Sequence, residues 1–192
     1  MNRRTLLASI GAGVGGVGAG WFVLSGRSVG YRVTLEHEAV ESDSPLVVET
    51  AIEDEQVAPG DPAILSISVT NEGSDAYGLM SGAPGPFGIL RASKTGSDRE
   101  LTLWSDAYDE SGHVSTMAGL IVGVNDIGIV TELGPGESRS GRYELRRRSL
   151  AEGPGAYLVT TRYGVELLAE TGGDEERTAY GPLTYELRFS VS

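Results

Sequence analysis

Leu183-Thr184-Tyr185-Glu186-Leu187-Arg188-Phe189-Ser190-Val191 alternates apolar and polar side chains without a break. Successive side chains of a strand point to opposite faces, so Leu183, Tyr185, Leu187, Phe189 and Val191 form one interior face. The same period recurs upstream. Tyr31, Val33 and Leu35 alternate with Arg32, Thr34 and Glu36; Val48, Thr50 and Ile52 with Glu49, Ala51 and Glu53; Leu65, Ile67 and Val69 with Ser66, Ser68 and Thr70. Tyr143 and Leu145 oppose Arg142 and Glu144, while Tyr157, Val159, Thr161 and Tyr163 share a face. Residues 87–91, 100–104 and 127–133 complete roughly nine strands, at spacings typical of a sandwich.

The punctuation agrees with that pattern. Pro59-Gly60-Asp61-Pro62, Pro84-Gly85-Pro86, Gly134-Pro135-Gly136 and Gly153-Pro154-Gly155 are turns, because proline presets φ and glycine supplies positive φ. No long window after Gly26 carries a helical period. Residues 42–45 read as a loop, 106–119 as the longest irregular stretch, and 170–177 as an acidic hairpin tip. The expected organisation is residues 1–26 as a signal or membrane anchor helix, 27–45 as a first strand and connecting loop, and 46–192 as an all-β, antiparallel β-sandwich domain.

Charge identifies the solvent. The chain has 15 Lys and Arg against 27 Asp and Glu. Two of those arginines are Arg3 and Arg4, and all the acids lie beyond Gly26, so the remainder carries a net charge of −14. Its one lysine is Lys94. This composition resembles that of secreted proteins from extreme halophiles. Carboxylates hold water and counter-ions there, and molar salt cuts the Debye length to about 3 Å and screens self-repulsion. The acids are spread along the chain, which favours solvation over a cation-binding cluster. Nucleic acid is not an expected partner, because phosphates would be repelled. Without cysteine, packing and not disulfides must hold an exported domain together.

Arg3-Arg4 stands directly before 22 uncharged residues, 5–26. Arg3, Arg4, Thr5, Leu6 and Leu7 resemble the twin-arginine export signal, which implies translocation of an already folded protein. Glycines at 11, 13, 15, 16, 18, 20 and 26 keep the run weakly hydrophobic, as such signals are. The resemblance implies the export machinery as a partner and an extracytoplasmic location. Arg27 occupies the position where a lipoprotein signal requires cysteine, so thioether lipidation is excluded. A run of this length also suffices to span a bilayer, so retention as an anchor at the outer face of the membrane is open beside cleavage and secretion. Two motif matches fail for want of context. Gly11-Ala12-Gly13-Val14-Gly15-Gly16 fits a dinucleotide fingerprint but follows no strand. Gly26-Arg27-Ser28-Val29-Gly30 fits a nucleophile elbow but has no strand before it and no helix after it.

A second resemblance rests on Leu65-Ser66-Ile67-Ser68-Val69-Thr70-Asn71-Glu72-Gly73, and on Leu133-Gly134-Pro135-Gly136-Glu137-Ser138 followed by Tyr143-Glu144-Leu145 and Gly155-Ala156-Tyr157-Leu158-Val159. Over residues 46–165 this is similar to exported immunoglobulin-like modules, and to the fold family of the bacterial intracellular proteinase inhibitor. The resemblance implies an immunoglobulin-like sandwich. It implies no chemistry, because function resides in sites grafted onto such folds.

Few residues offer chemistry. His37 falls on the face of Tyr31, Val33 and Leu35, which predicts a partly buried structural histidine. His113 lies near Asp106, Asp109, Glu110, Ser111 and Ser115, where a Ser-His-Asp hydrolase is conceivable. Nothing nearby supplies an oxyanion hole, and the loop reads better as a partner-binding edge formed by Asp106, Asp109 and His113. Asp106, Asp109 and Glu110, or Asp174, Glu175 and Glu176, could ligate calcium but lack the spacing of a calcium loop. Arg146-Arg147-Arg148 is the one basic run, either an anion patch or a strand end paired with carboxylates. No cofactor is expected. The favoured reading is a non-catalytic module binding a protein or envelope component; the alternatives are a proteinase-inhibitor-like module and a hydrolase using His113.

Overall fold

The computed structural model describes residues 30–169 and 176–192. Arg3, Arg4, the run 5–26, both rejected motif matches and the tip acids Asp174 and Glu175 lie outside the described residues. The described chain is mostly β, with antiparallel sheets. The elements are β1 (Tyr31–Glu41), β2 (Leu46–Asp54), β3 (Gln56–Val57), β4 (Ala63–Asn71), β5 (Ala76–Gly82), β6 (Arg91–Lys94), β7 (Glu100–Thr102), α1 (Ala107–Glu110), β8 (Val114–Met117), β9 (Leu120–Val124), β10 (Gly128–Leu133), β11 (Ser138–Leu145), β12 (Gly155–Ala169) and β13 (Glu176–Val191). The larger sheet runs β10-β5-β12-β13-β1-β3, with β6 joining β12 and β7 joining β6. A second sheet runs β11-β4-β2, and β8 with β9 forms a separate hairpin. No helix among the described residues is long and apolar enough to cross a membrane.

Both sheets feed one core. Leu65, Ile67 and Val69 of β4 and Tyr143 and Leu145 of β11 share it with Tyr157, Val159 and Tyr163 of β12. Leu183, Tyr185, Leu187, Phe189 and Val191 are all buried, as their period requires. Phe189 lies flat against Tyr157, ring centroids 5.5 Å apart. Tyr157 also donates its hydroxyl proton to the Gly153 carbonyl at 2.6 Å, pinning the corner that leads into β12. At the other end of β4, the buried Asn71 amide joins two turns. Its Nδ2 donates to the Asp75 and Leu133 carbonyls at 2.7 and 2.9 Å, and its Oδ1 accepts from Gly73 N–H at 2.9 Å.

Four expectations need correction. First, there are more than nine strands, since β3, β5, β6, β8 and β9 were not expected. β5 (Ala76-Tyr77-Gly78-Leu79-Met80-Ser81-Gly82) has the glycines of a turn, but it is a central strand. A Cβ on Gly78 would come within 2.8 Å of Val130, so close strand packing accounts for glycine there. Second, residues 87–90 are not a strand, and β6 starts only at Arg91. They are a buried irregular segment, which must find partners for its polar backbone. Tyr163 and Tyr143 donate to the Phe87 and Gly88 carbonyls, each at 3.3 Å, and Leu103 N–H donates to the Leu90 carbonyl at 3.0 Å.

Third, His37 is exposed, not partly buried. A β-bulge between Leu35 and His37 shifts the pairing of β1 with β13. The extra residue turns His37 to solvent and Glu38 inward. Thr50 Oγ1 donates to Glu38 Oε1 at 2.7 Å, and the fully buried Tyr185 hydroxyl lies 2.5 Å from the same Thr50 oxygen. Fourth, residues 106–119 are not irregular throughout: they form α1, β8 and the turn into β9.

Candidate functional site

Asp106, Asp109 and His113 fall in a 45-residue excursion, 83–127, between β5 and β10, whereas Arg146–Arg148 follow β11. The two strands flanking it pair with each other, Gly82 facing Gly128, so the excursion leaves and returns at one point. It is anchored by packing. Leu90, Ala92, Leu101, Leu103, Trp104, Tyr108 and Val114 reach the common core. Trp104 exchanges backbone hydrogen bonds with Glu144, at 2.9 and 2.6 Å, tying the excursion to β11. The Tyr108 hydroxyl donates to the Leu103 carbonyl at 3.0 Å, and burial pushes this phenol well above its usual range.

Asp106, Asp109 and His113 have different neighbours. Asp106 accepts from the Trp104 indole at 3.4 Å and lies 3.9 Å from Arg146. Asp109 accepts a hydrogen bond from the Thr116 hydroxyl. His113 is exposed, and it is its backbone N–H that donates to Ser111, at 3.2 Å. Its imidazole bonds no serine and no aspartate among the described residues, so the hydrogen-bonded triple that would raise the hydrolase reading is not formed. No group of three or more His, Asp or Glu among the described residues is placed to hold a metal ion.

The three consecutive arginines diverge. The Arg146 guanidinium lies 4.4 Å from the centre of the Trp104 ring and 2.5 Å from Glu144. It combines a cation–π contact with a partly buried ion pair. Arg147 lies over Tyr31 at 5.6 Å. Arg148 donates to the Ala118 and Gly119 carbonyls at 3.1 and 2.7 Å, gripping the turn between β8 and β9. A Cβ on Gly119 would push the Arg148 guanidinium off this turn, and the φ of +69° there favours glycine. The run therefore joins three parts of the fold: the excursion, the first strand and the hairpin turn.

One cleft adjoins Asp106, and a second is lined by none of the expected site residues. The first, of about 220 Å³, opens between Pro84–Pro86, Asp106 and the β11 residues Arg142 and Glu144. It falls below the roughly 300–1,000 Å³ of ordinary small-molecule pockets. The other, of about 410 Å³, lies on β6 and β12 and is lined by Arg91, Ser93, Glu100, Thr160 and Thr161. It occurs where β12 changes partner, from β6 at Leu158 to β5 at Gly164. Arg91 and Glu100 stand 3.7 Å apart across it.

The sequence reading missed the apolar surface of the hairpin. Met117, Leu120, Val122 and Val124 are 68, 60, 58 and 44% exposed. The signal was present: Leu120-Ile121-Val122-Gly123-Val124 alternates, with Ile121 packed against the core.

The fold and the site together define an antiparallel β domain carrying a structured excursion. The chain belongs to a family of domains of unknown function, DUF8130, whose sequence model matches residues 1–191. No curated protein and no solved structure matches it.

Proposed function

We propose that the chain is a twin-arginine-exported, non-catalytic module of a salt-adapted cell, held at the outer face of the membrane by its N-terminal segment and binding a protein or envelope component. The observation that carries the reading is Arg3-Arg4 set before 22 uncharged, glycine-diluted residues. The family match runs through this segment into the domain, which supports treating the two as one functional unit. Replacing Arg3 and Arg4 together by lysine keeps the charge but removes the guanidinium pair. The double variant should stay in the cytoplasm, as read by cell fractionation; export at the unaltered level would sink the reading.

The domain is read as an immunoglobulin-like sandwich. In that scheme β2, β4 and β11 correspond to strands A, B and E, and β5, β12 and β13 to C, F and G. The observed neighbours support this, β11-β4-β2 in one sheet and β5-β12-β13 in the other. The Tyr157 hydroxyl bound to the Gly153 carbonyl supports it independently, because a tyrosine near the start of strand F characteristically bonds the backbone a few residues upstream. The excursion then lies after strand C, where a loop varies without disturbing the ladder.

A further inference from the structure

The apolar hairpin is linked by a chain of contacts to Gly30, where the described residues begin. The connection passes through named contacts. Gly30 leads into Tyr31, whose ring lies under Arg147, 5.6 Å away. The next residue, Arg148, holds the Ala118 and Gly119 carbonyls. From that turn Met117 and Leu120 project into solvent, and Val122 and Val124 continue the same face. A patch of four large apolar side chains on one hairpin is unlike the single exposed residues of ordinary surfaces.

Arginines stand close to the same surface. Four arginines, Arg32 and Arg146–Arg148, gather here, beside Asp109, Glu110 and Asp126, which form no ion pair among the described residues. Glu55 lies 2.6 Å from Arg32, and Glu144 and Asp106 pair with Arg146. Arginines beside an apolar tip suit the boundary between lipid headgroups and acyl chains.

We propose that the β8–β9 hairpin is a second membrane contact: Met117, Leu120, Val122 and Val124 rest in the lipid interface while the N-terminal segment crosses the bilayer. This rests on the retained-anchor reading above. The 29 residues before Gly30 include an uncharged run long enough to span, and the chain they belong to continues into Tyr31, which the contacts above link to the hairpin turn. Two attachment points fix the orientation of the domain, leaving the β4–β5 turn at Glu72 facing outward, about 27 Å further along β4.

The absence of cysteine makes the test direct. Full-length chain with Val122→Cys, or separately Leu120→Cys, is labelled with an environment-sensitive fluorophore. It is reconstituted in vesicles of phosphatidylcholine and phosphatidylglycerol, with or without lipid carrying a quencher at the acyl-chain level. Flotation of the protein with the vesicles reads the anchor. Quenching reads the hairpin. The expected result is flotation with at least twofold quenching at both positions and none for Glu72→Cys. Flotation without quenching overturns the hairpin contact and leaves the anchor intact. A blue-shifted label that lipid does not quench shows a protein surface covering the patch, either a second copy or the chain's own N-terminal segment, and also overturns it. Failure to float overturns the anchor and the contact together.

Discussion

Glu38 shows how one extra residue in a strand changes the chemistry of a core. The bulge after Leu35 places a carboxylate where the sequence period placed His37. Burial raises the Glu38 pKa above its ordinary 4.5, and the nearby Glu49 charge adds to the rise, while the hydrogen bond from Thr50 opposes it. The sign follows from linkage: a carboxyl that binds protons more tightly when folded contributes stability fully below its unfolded pKa. That contribution is lost as pH rises through the folded value. Glu38→Gln keeps an acceptor for Thr50 and removes the charge. It should therefore be more stable than the parent at pH 7, by an amount that shrinks as pH falls to about 4. Urea midpoints at the two pH values measure this; a constant difference would refute it. Glu137 has the opposite sign: Gly134 N–H, and then Arg139, hold its pKa below the ordinary value. Its contribution is present above the unfolded pKa and fades as pH falls through the folded one. Neither carboxyl was legible as special in the sequence, because a bulge leaves no mark in an alternating pattern and turn partners are set by tertiary contacts.

At the scale of elements, legibility followed burial on one face. β2, β4, β11, β12 and β13 each bury one face and wet the other, so period 2 located them. β5 was hidden because Gly78 is demanded by the neighbouring Val130. Residues 87–90 deceived in the other direction: Phe87 and Leu90 are buried, but tyrosine hydroxyls satisfy backbone carbonyls of the segment where a ladder would. The β8–β9 hairpin alternates well, yet its apolar face points out, so a rule that sends apolar residues inward had no place for it. The candidate site was legible as a region and not as an arrangement; the sequence marked Asp106, Asp109, His113 and Arg146–Arg148 without showing that each would have its own neighbours. β13 carries the firmest element-scale expectation. Phe189 is fully buried and stacked on Tyr157. Truncating such a phenylalanine to alanine costs about 3–5 kcal/mol, against about 5–15 kcal/mol of total stability. Phe189→Ala should strongly destabilise or unfold the domain, as read by thermal melting; a melting temperature within about 2 °C of the parent would contradict its core position.

For the whole molecule the deciding quantity is the net charge of −14 beyond Gly26. Salt acts on it in two directions. It weakens exposed ion pairs such as Arg32–Glu55 and Arg142–Glu53, each worth about 0–1 kcal/mol. It also relieves the mutual repulsion of many unpaired carboxylates, which grows with every excess acid. The second effect should dominate, so the melting temperature should rise as KCl increases from about 0.1 M, where the Debye length is about 10 Å, to molar concentrations. A flat or falling melting temperature over that range would remove the halophilic reading.

The first strand of the domain pairs with the last, Val33 facing Val191 and Arg32 bonded to Ser192. In time, this means that β1 leaves the ribosome more than a hundred residues ahead of its principal partner. At about 5–20 residues per second the wait is on the order of ten seconds. Throughout it, β1 exposes an unpaired edge that invites pairing with other chains. A route that threads the chain outward as it emerges would carry that open edge across the membrane first. Under the proposed twin-arginine export, a route that accepts only finished cargo would let the sheet close, β13 against β1, before translocation begins.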